Sequence, residues 1–449
     1  MSNKVIAAVV VAGGVLATTP FYLSGFFAHK ALSEQLKNQL AQSGMADTAI
    51  TIANEASELG LYKSHYAYDM VFNMEHPQLA AFKSADTPST LTLRTQNNFT
   101  HGFLSIEGTS TYSGNLVDIL EKAVKQVNFT KQDADKPLFT LNTSADFSLS
   151  GHYQIRIASD MQAFTASGTS AEGEAFKIAS TPMKISGVIT PETMDGSYSL
   201  DNISLEQGGA LFAMNNLILG ADATTWFSSE LDSLLIKDMK SNFAIADISI
   251  TSDNKTIKVA EKISVDYDLS TNEQLRGQVG VRYQVEKIDV PMMPMSKIDN
   301  LDIHMVLEGG VKGAIAYYEK IQTLATNPED PELIMEIFSN LLAEDVGYDV
   351  KAFKAQTFAG PVDITADVDL KALDPAEFKQ NPMLAMANLS YKASGQIPMD
   401  LLAMSGQLPP EAIESLVQQE MLELKDDGQV HFKLDGSAGS INLNGKPLM

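Results

Sequence analysis

The sequence predicts a mainly β fold of the α+β class: long antiparallel amphipathic strands in a meandering sheet that can curl, preceded by one N-terminal transmembrane helix. Three observations carry this. Apolar and polar residues alternate over many separate stretches, as in strands with one apolar and one polar face. Turn signals rich in Gly, Asn and Asp punctuate those stretches. An uncharged apolar run stands near the start.

That run is "VIAAVVVAGGVLATTPFYLSGFFA", and between Lys4 and Lys30 only His29 can carry a charge. As a helix rising about 1.5 Å per residue, residues 5–28 can cross a hydrocarbon layer of roughly 30 Å. A cleaved signal needs a shorter apolar region and a small-x-small site. Ala17-Thr18-Thr19 comes closest, but Pro20 follows it directly, and Phe26 is too bulky for a site ending at Ala28. The reading is an uncleaved anchor at 5–28. Lys4 on one side and Lys30 and Lys37 on the other barely orient it by the positive-inside rule. Bulk decides: residues 1–4 form a short cytoplasmic tail and the rest is exported. In a Gram-negative host this is a single-pass protein of the bacterial inner membrane with its C-terminal body in the periplasm.

After the anchor, Leu32, Leu36 and Leu40 recur at four-residue spacing, so 29–47 reads as an amphipathic stalk helix. The period then changes to two, opening a β-rich body over 48–449. Tyr66, Tyr68, Met70 and Phe72 share a face, as do Tyr153, Ile155 and Ile157, and Val265, Tyr267 and Leu269. The pattern returns at Val281, Tyr283 and Val285, at Leu301, Ile303, Met305 and Leu307, and at Ile364, Ala366, Val368 and Leu370. Strict alternation of this kind suits antiparallel sheets. Turns are expected at "EQGG", "TSDNK", "STNEQ" and "KDDGQ". Helical segments interrupt the strands near 114–128, 311–346 and 409–425, with Asp330 and Pro331 opening a helix inside the second. A hairpin turning at Asn444-Gly445 closes the chain.

The 449 residues are 44% hydrophobic, enough for one large domain or two ordinary ones. Cysteine is absent, which excludes disulfides, thiolate–zinc sites, iron–sulfur clusters and thiol nucleophiles. The net charge of −24 repels phosphate backbones, so no nucleic-acid partner is expected.

A search for chemistry returns no catalytic, cofactor-binding or metal-ligating residue, and no cofactor. "GSINLNGKP" imitates a phosphate loop, but five residues separate Gly439 from Gly445 and Pro447 occupies the hydroxyl position. The histidines (29, 65, 76, 101, 152, 304 and 431) form no zinc-binding pair; His152, His304 and His431 fall on polar strand faces. Asp363, Asp367 and Asp369 alternate along one strand, with Asp374 and Glu377 following, so they splay about 7 Å apart instead of encircling an ion. Trp226 reads as core. The apolar strand faces call for cover from a second sheet or the helices, or else stay partly open as a groove. The Met292–Met295 run suits an adaptable surface of that kind.

Several landmarks together resemble the YdgA/YihF-like family of bacterial inner-membrane-anchored periplasmic proteins, a domain of unknown function. They are the N-terminal span, the "ELGLYKSHYAYDMVF" strand pair, the step at Thr100–Leu104, "GQVGVRYQVEKIDV", the paired late helices and the closing "GSINLNGKPL". Where the family pattern has Gly-Pro-Phe, this chain reads His101-Gly102-Phe103-Leu104. The resemblance implies a membrane anchor, a periplasmic body and self-association, and carries no catalytic residues. A more distant likeness to AsmA-type envelope proteins, which handle lipid, rests on strand pattern and topology alone. The expectation is a non-catalytic membrane-anchored cell-envelope protein that binds a protein partner or itself; the alternative is lipid or hydrophobic-ligand handling through an apolar groove of the sheet.

Overall fold

A computed structural model describes residues 49–59, 63–76, 88–102, 105–113, 128–133, 139–147, 153–169, 174–190, 192–228, 233–290, 297–314, 331–404, 410–438 and 440–448. The anchor at 5–28, the stalk at 29–47, most of the 114–128 segment, His29, His152 and Met292–Met295 lie outside them. Among the described residues no helix is long and apolar enough to cross a membrane. Among the described residues the protein is mainly β, with few helices, a large antiparallel sheet and no closed barrel. Its residues divide into two compact units: those up to Gly220 with Ile250–Thr256, and Ala221–Ser249 with Ile257–Met449.

In the first unit, β1 (Ile50–Leu59), β2 (Lys63–Asn73), β3 (Thr90–Gly102) and β4 (Ser105–Ser113) form a meander. The predicted apolar face of β2 is its core: Tyr66, Tyr68, Met70 and Phe72 are buried with Leu91 and Leu93 of β3. Asp69, on the opposite side of β2, is also buried. It accepts a bond from Asn54 Nδ2 at 2.7 Å and pairs with Arg94 Nη1 at 3.1 Å. Asn54 sits at a bulge in β1 with φ +50°, a left-handed conformation that asparagine tolerates better than most residues. The step at 101–104 is described only in part: β3 ends at Gly102, which pairs with Ser105.

The meander continues through β5 (Asn128–Lys131), β6 (Phe139–Phe147), β7 (Tyr153–Met161), β8 (Phe164–Thr169), β9 (Ala175–Ser180), β10 (Met183–Ile189) and β11 (Thr193–Gln207). Here the strands come in collinear halves. β7 pairs with β10 and β8 with β9, while β11 pairs with both β10 and β9. On the other side β6 pairs with β7 and β5 with β8. The breaks at 162–163 and 181–182 fall opposite one another, and β11 changes partner across 201–202, so a seam crosses the sheet.

Pro182 explains the seam locally, because it has no N–H to give the ladder. Thr181 compensates: its N–H reaches the Asn202 carbonyl at 3.0 Å, and its hydroxyl accepts the Asn202 N–H at 2.9 Å. Asn202 Nδ2 then donates to Asn215 Oδ1 at 2.7 Å, carrying the polar line onto β12 (Ala210–Ser228). Apolar positions change parity at this line. Leu200 lies before it and Ile203 and Leu205 after it, so the apolar side of the sheet swaps over along β11.

The second unit holds the latter part of β12 and the first, longer part of β13 (Ser233–Ser252), then nearly all of β14 (Lys255–Thr271), and β15 (Arg276–Ile288), β16 (Ile298–Gly310), β17 (Val346–Thr357), β18 (Gly360–Leu370) and β19 (Leu389–Pro398). From β14 to β19 each strand pairs antiparallel with the next. β21 (Gln429–Ser437) follows β19, flanked by short β20 (Glu423–Leu424), β22 (Ser440–Leu443) and β23 (Lys446–Pro447). Tight turns stand where the sequence marks them: Gly208-Gly209, Asp253-Asn254 and Asn444-Gly445 all have positive φ at both residues, the twist a two-residue hairpin requires.

Helices join strand ends. α1 (Pro331–Leu341) precedes β17; α2 (Pro375–Gln380) and α3 (Leu384–Asn388) lie between β18 and β19; α4 (Met399–Met404) and α5 (Pro410–Gln418) follow β19. Asp374 caps α2, its carboxylate accepting from the N–H groups of Ala376 and Glu377 at 2.8 and 3.1 Å, with Pro375 as the first helical residue.

Candidate functional site

Register places the alternating residues of the second unit in rows that run across the strands. One row is Val265, Tyr283, Ile303, Phe353, Ile364, Gly395 and Phe432. The next is Tyr267, Val281, Met305, Val350, Ala366, Ala393 and Leu434, and the next Leu269, Val279, Leu307, Tyr348, Val368, Tyr391 and Gly436. None of these positions carries a charge. Val350 and Phe353 are three apart and would face opposite sides of a regular strand. The register shift between them, spanning Lys351 and Ala352, adds the one residue that keeps both on the apolar face.

This face is barest on β15–β17. Tyr283, Leu307 and Tyr348 are 41%, 49% and 39% exposed. Val265, Tyr267, Val281, Ile303, Met305, Phe353, Ile364 and Val368 are half-buried. Across β14–β21, at about 4.8 Å per strand, the face is about 29 Å wide, and at about 3.4 Å per residue it runs about 27 Å from Ile263 to Thr271. Apolar patches of this extent on a water-soluble surface mark binding sites.

Cover is present at one end. There Ala355, Val362 and Val430 are buried, and Ile413 of α5 closes a core with Leu422 and Val430. Met399 and Leu402 of α4, Leu416 and Val417 of α5, Phe432 and Leu443 pack around it. At the other end α1 and α2 are tied down differently. Asp345 takes the Ala372 N–H at 2.8 Å and Lys371 Nζ at 3.1 Å, and its carbonyl receives Arg276 Nη1 at 2.6 Å. Those bonds, the backbone one first, hold the Asp345 carboxyl below its ordinary range.

The opposite face is charged. Arg282 grips Asp302 across β15 and β16, Lys354 lies 3.4 Å from Asp363 across β17 and β18, and Lys351 pairs with Asp349 within β17. His304 and His431 stand in this face opposite Arg282 and Gln396. Asp363, Asp367 and Asp369 also lie here, and Asp374 caps α2. Among the described residues no group of His, Asp or Glu is placed to hold a metal ion. His65 Nδ1 meets Asn98 Oδ1 at 2.8 Å. Trp226, read as core, is half-buried; its Nε1 donates to Thr271 Oγ1 at 3.1 Å, and that hydroxyl donates to the Ile236 carbonyl at 2.5 Å.

The strands are legible in the sequence; whether their apolar sides are covered is not. Alternation reports two-facedness; only the position of the neighbouring elements reports cover. The family described as "Bacterial protein of unknown function (DUF945)" matches residues 2–449. No curated protein and no solved structure matches the chain.

Proposed function

The chain belongs to a bacterial protein family of unknown function, DUF945, and from that premise we propose that it is a membrane-anchored cell-envelope protein that holds the hydrocarbon chains of lipid against the bare face of β14–β21. The observation that carries this is the uncharged, half-exposed field of side chains around Tyr283, Leu307 and Tyr348. Hydrocarbon gains about 0.8 kcal/mol per buried methylene and needs no hydrogen bonds. A strand-adding peptide would need free backbone groups, and those in the middle of this sheet are already paired. The reading is non-catalytic.

The anchor at 5–28 supports placement in the inner membrane, with the body in the periplasm beside a source of lipid. The landmarks shared with YdgA/YihF-like proteins support the same topology. Self-association or an envelope protein partner is the second reading, favoured by the size of the face, which approaches the ~800 Å² that each partner contributes to a standard interface. The net charge of −24 weighs against two copies meeting there.

The test uses the full chain held in an amphipathic polymer and stripped of lipid. Saturable binding of a fluorescent fatty acid, displaced by palmitate, is the expected result, with lipid recovered by organic extraction from the unstripped protein. Absence of both, with a dimer in light scattering, would replace this reading with self-association.

A further inference from the structure

The two ends of the bare face differ. At the α4–α5 end the rows run into a sealed core, with Val430 at 1% exposure beneath Ile413, Leu402 and Leu416. At the α1–α3 end the last rows stay open at Leu307 and Tyr348, and the helices beyond present large apolar side chains to solvent. Phe338 of α1 is 52% exposed, Met383 beside α3 is 70% exposed, and Met386 is also exposed. Ile337 and Phe378 are buried at that end and fix the helices, so the outward position of Phe338 and the methionines does not come from loose packing. Phe358 in the β17–β18 turn, Met404 at the end of α4 and Leu424 of β20 are exposed at the sealed end too, but the row beside them, Ala355, Val362 and Val430, is closed, whereas the row at the α1–α3 end is open.

We infer, resting on the lipid-holding reading above, that the face works in one direction: an acyl chain enters over α1–α3, lies along the strands, and brings its terminal methyl to the sealed α4–α5 end. The occupant is hydrocarbon because no charged group stands in the rows, and because a second copy would bring another highly acidic surface. Its length fits. An acyl chain fills one leaflet of about 15 Å, half the ~30 Å hydrocarbon core, and the four residues from the open Tyr348 row to the Phe432 row beside the sealed core span about 14 Å along the strands. Phe338, Met383 and Met386 then serve as the apolar rim that meets a bilayer while the chain crosses. Methionine suits this, being flexible and able to conform to a fluid surface. The net charge of −24 directs it to zwitterionic lipid in preference to anionic lipid.

The experiment uses the full chain reconstituted into phosphatidylcholine vesicles carrying a trace of phospholipid with a photoreactive diazirine, either at the terminal methyl or next to the ester. Cross-linked peptides are then mapped by mass spectrometry. The terminal probe is expected to label peptides containing Leu402 and Phe432 severalfold over those containing Leu307 and Tyr348, and the ester-proximal probe to reverse that ratio. Equal or inverted labelling would overturn the direction while leaving the lipid reading intact, whereas no labelling of the face by either probe removes both. As a control on the rim, Phe338→Glu with Met383→Glu is expected to slow probe uptake severalfold without changing the final amount bound; an unchanged rate would count against loading at that end.

Discussion

Arg282 and Asp302 face each other across β15 and β16 with two bonds, Nε to Oδ1 at 2.8 Å and Nη2 to Oδ2 at 2.7 Å. The bonds from Arg282 hold the Asp302 carboxyl below its ordinary range, against the smaller upward push of desolvation. A depressed folded-state value means the contribution is present above the unfolded carboxylate's ~pH 4 and is lost as pH falls through the folded value. Arg282→Ala should therefore cost stability at neutral pH, by no more than about 1 kcal/mol because the pair is partly exposed. The cost should vanish in strong acid. Urea midpoints that differ equally at both pH values would assign the loss to packing instead.

Leu307→Asp separates binding from folding. Leu307 is exposed in the folded protein, so the substitution should change stability by no more than about 0.5 kcal/mol. Acyl-chain affinity should fall about tenfold or more, since a charge would enter a field of hydrocarbon contacts. Titration with the fluorescent fatty acid, alongside thermal unfolding, reads both.

Asp69→Ala should destabilise the first unit by about 1–3 kcal/mol, because Asn54 and Arg94 lose a buried acceptor. Fatty-acid binding is expected to be unchanged. A parallel loss of binding would show that the bare face depends on the β1–β3 core.

Ile413→Ala should cost about 2–5 kcal/mol, as a fully buried side chain leaves a cavity under α5. The added space at the sealed end should also let longer acyl chains bind relatively better. Competition between fatty acids of different length checks this.

Gly395→Ala tests the close approach of β19 to β18. A Cβ there would stand 2.4 Å from the Asp363 carbonyl oxygen and 3.0 Å from Ile364 Cα, both backbone atoms that cannot swing aside. Destabilisation of about 1–3 kcal/mol is expected in chemical unfolding.

Much of the fold was legible residue by residue. Leu301, Ile303, Met305 and Leu307 share a face in the sequence and in the sheet, and so do Ile364, Ala366, Val368 and Leu370. Tyr66, Tyr68, Met70 and Phe72 are all buried as their alternation implied. Asn444-Gly445 forms the expected hairpin because its local chemistry favours positive φ. Other features had weaker marks. Pro182 signals a break in one strand, but nothing at Gln162-Ala163 signals a break beside it, and nothing at Asp201-Asn202 signals that β11 changes partner there, since alignment of breaks is a property of register. The shift that brings Val350 and Phe353 to one side is invisible as well, because an irregularity of two residues looks like the end of a pattern. The bare face lay beyond reach for the same reason: half-burial depends on which element arrives above a row, and no periodicity records that.

From β14 to β19 every strand lies against the one made just before it. A polypeptide delivered amino end first would find each new docking edge already waiting, and even the longest connection, 311–345 with α1, costs little more to close than a short one. The second unit can thus assemble in the order of its synthesis, like courses of brick, and only the closing of α5 over Val430 must await the final residues.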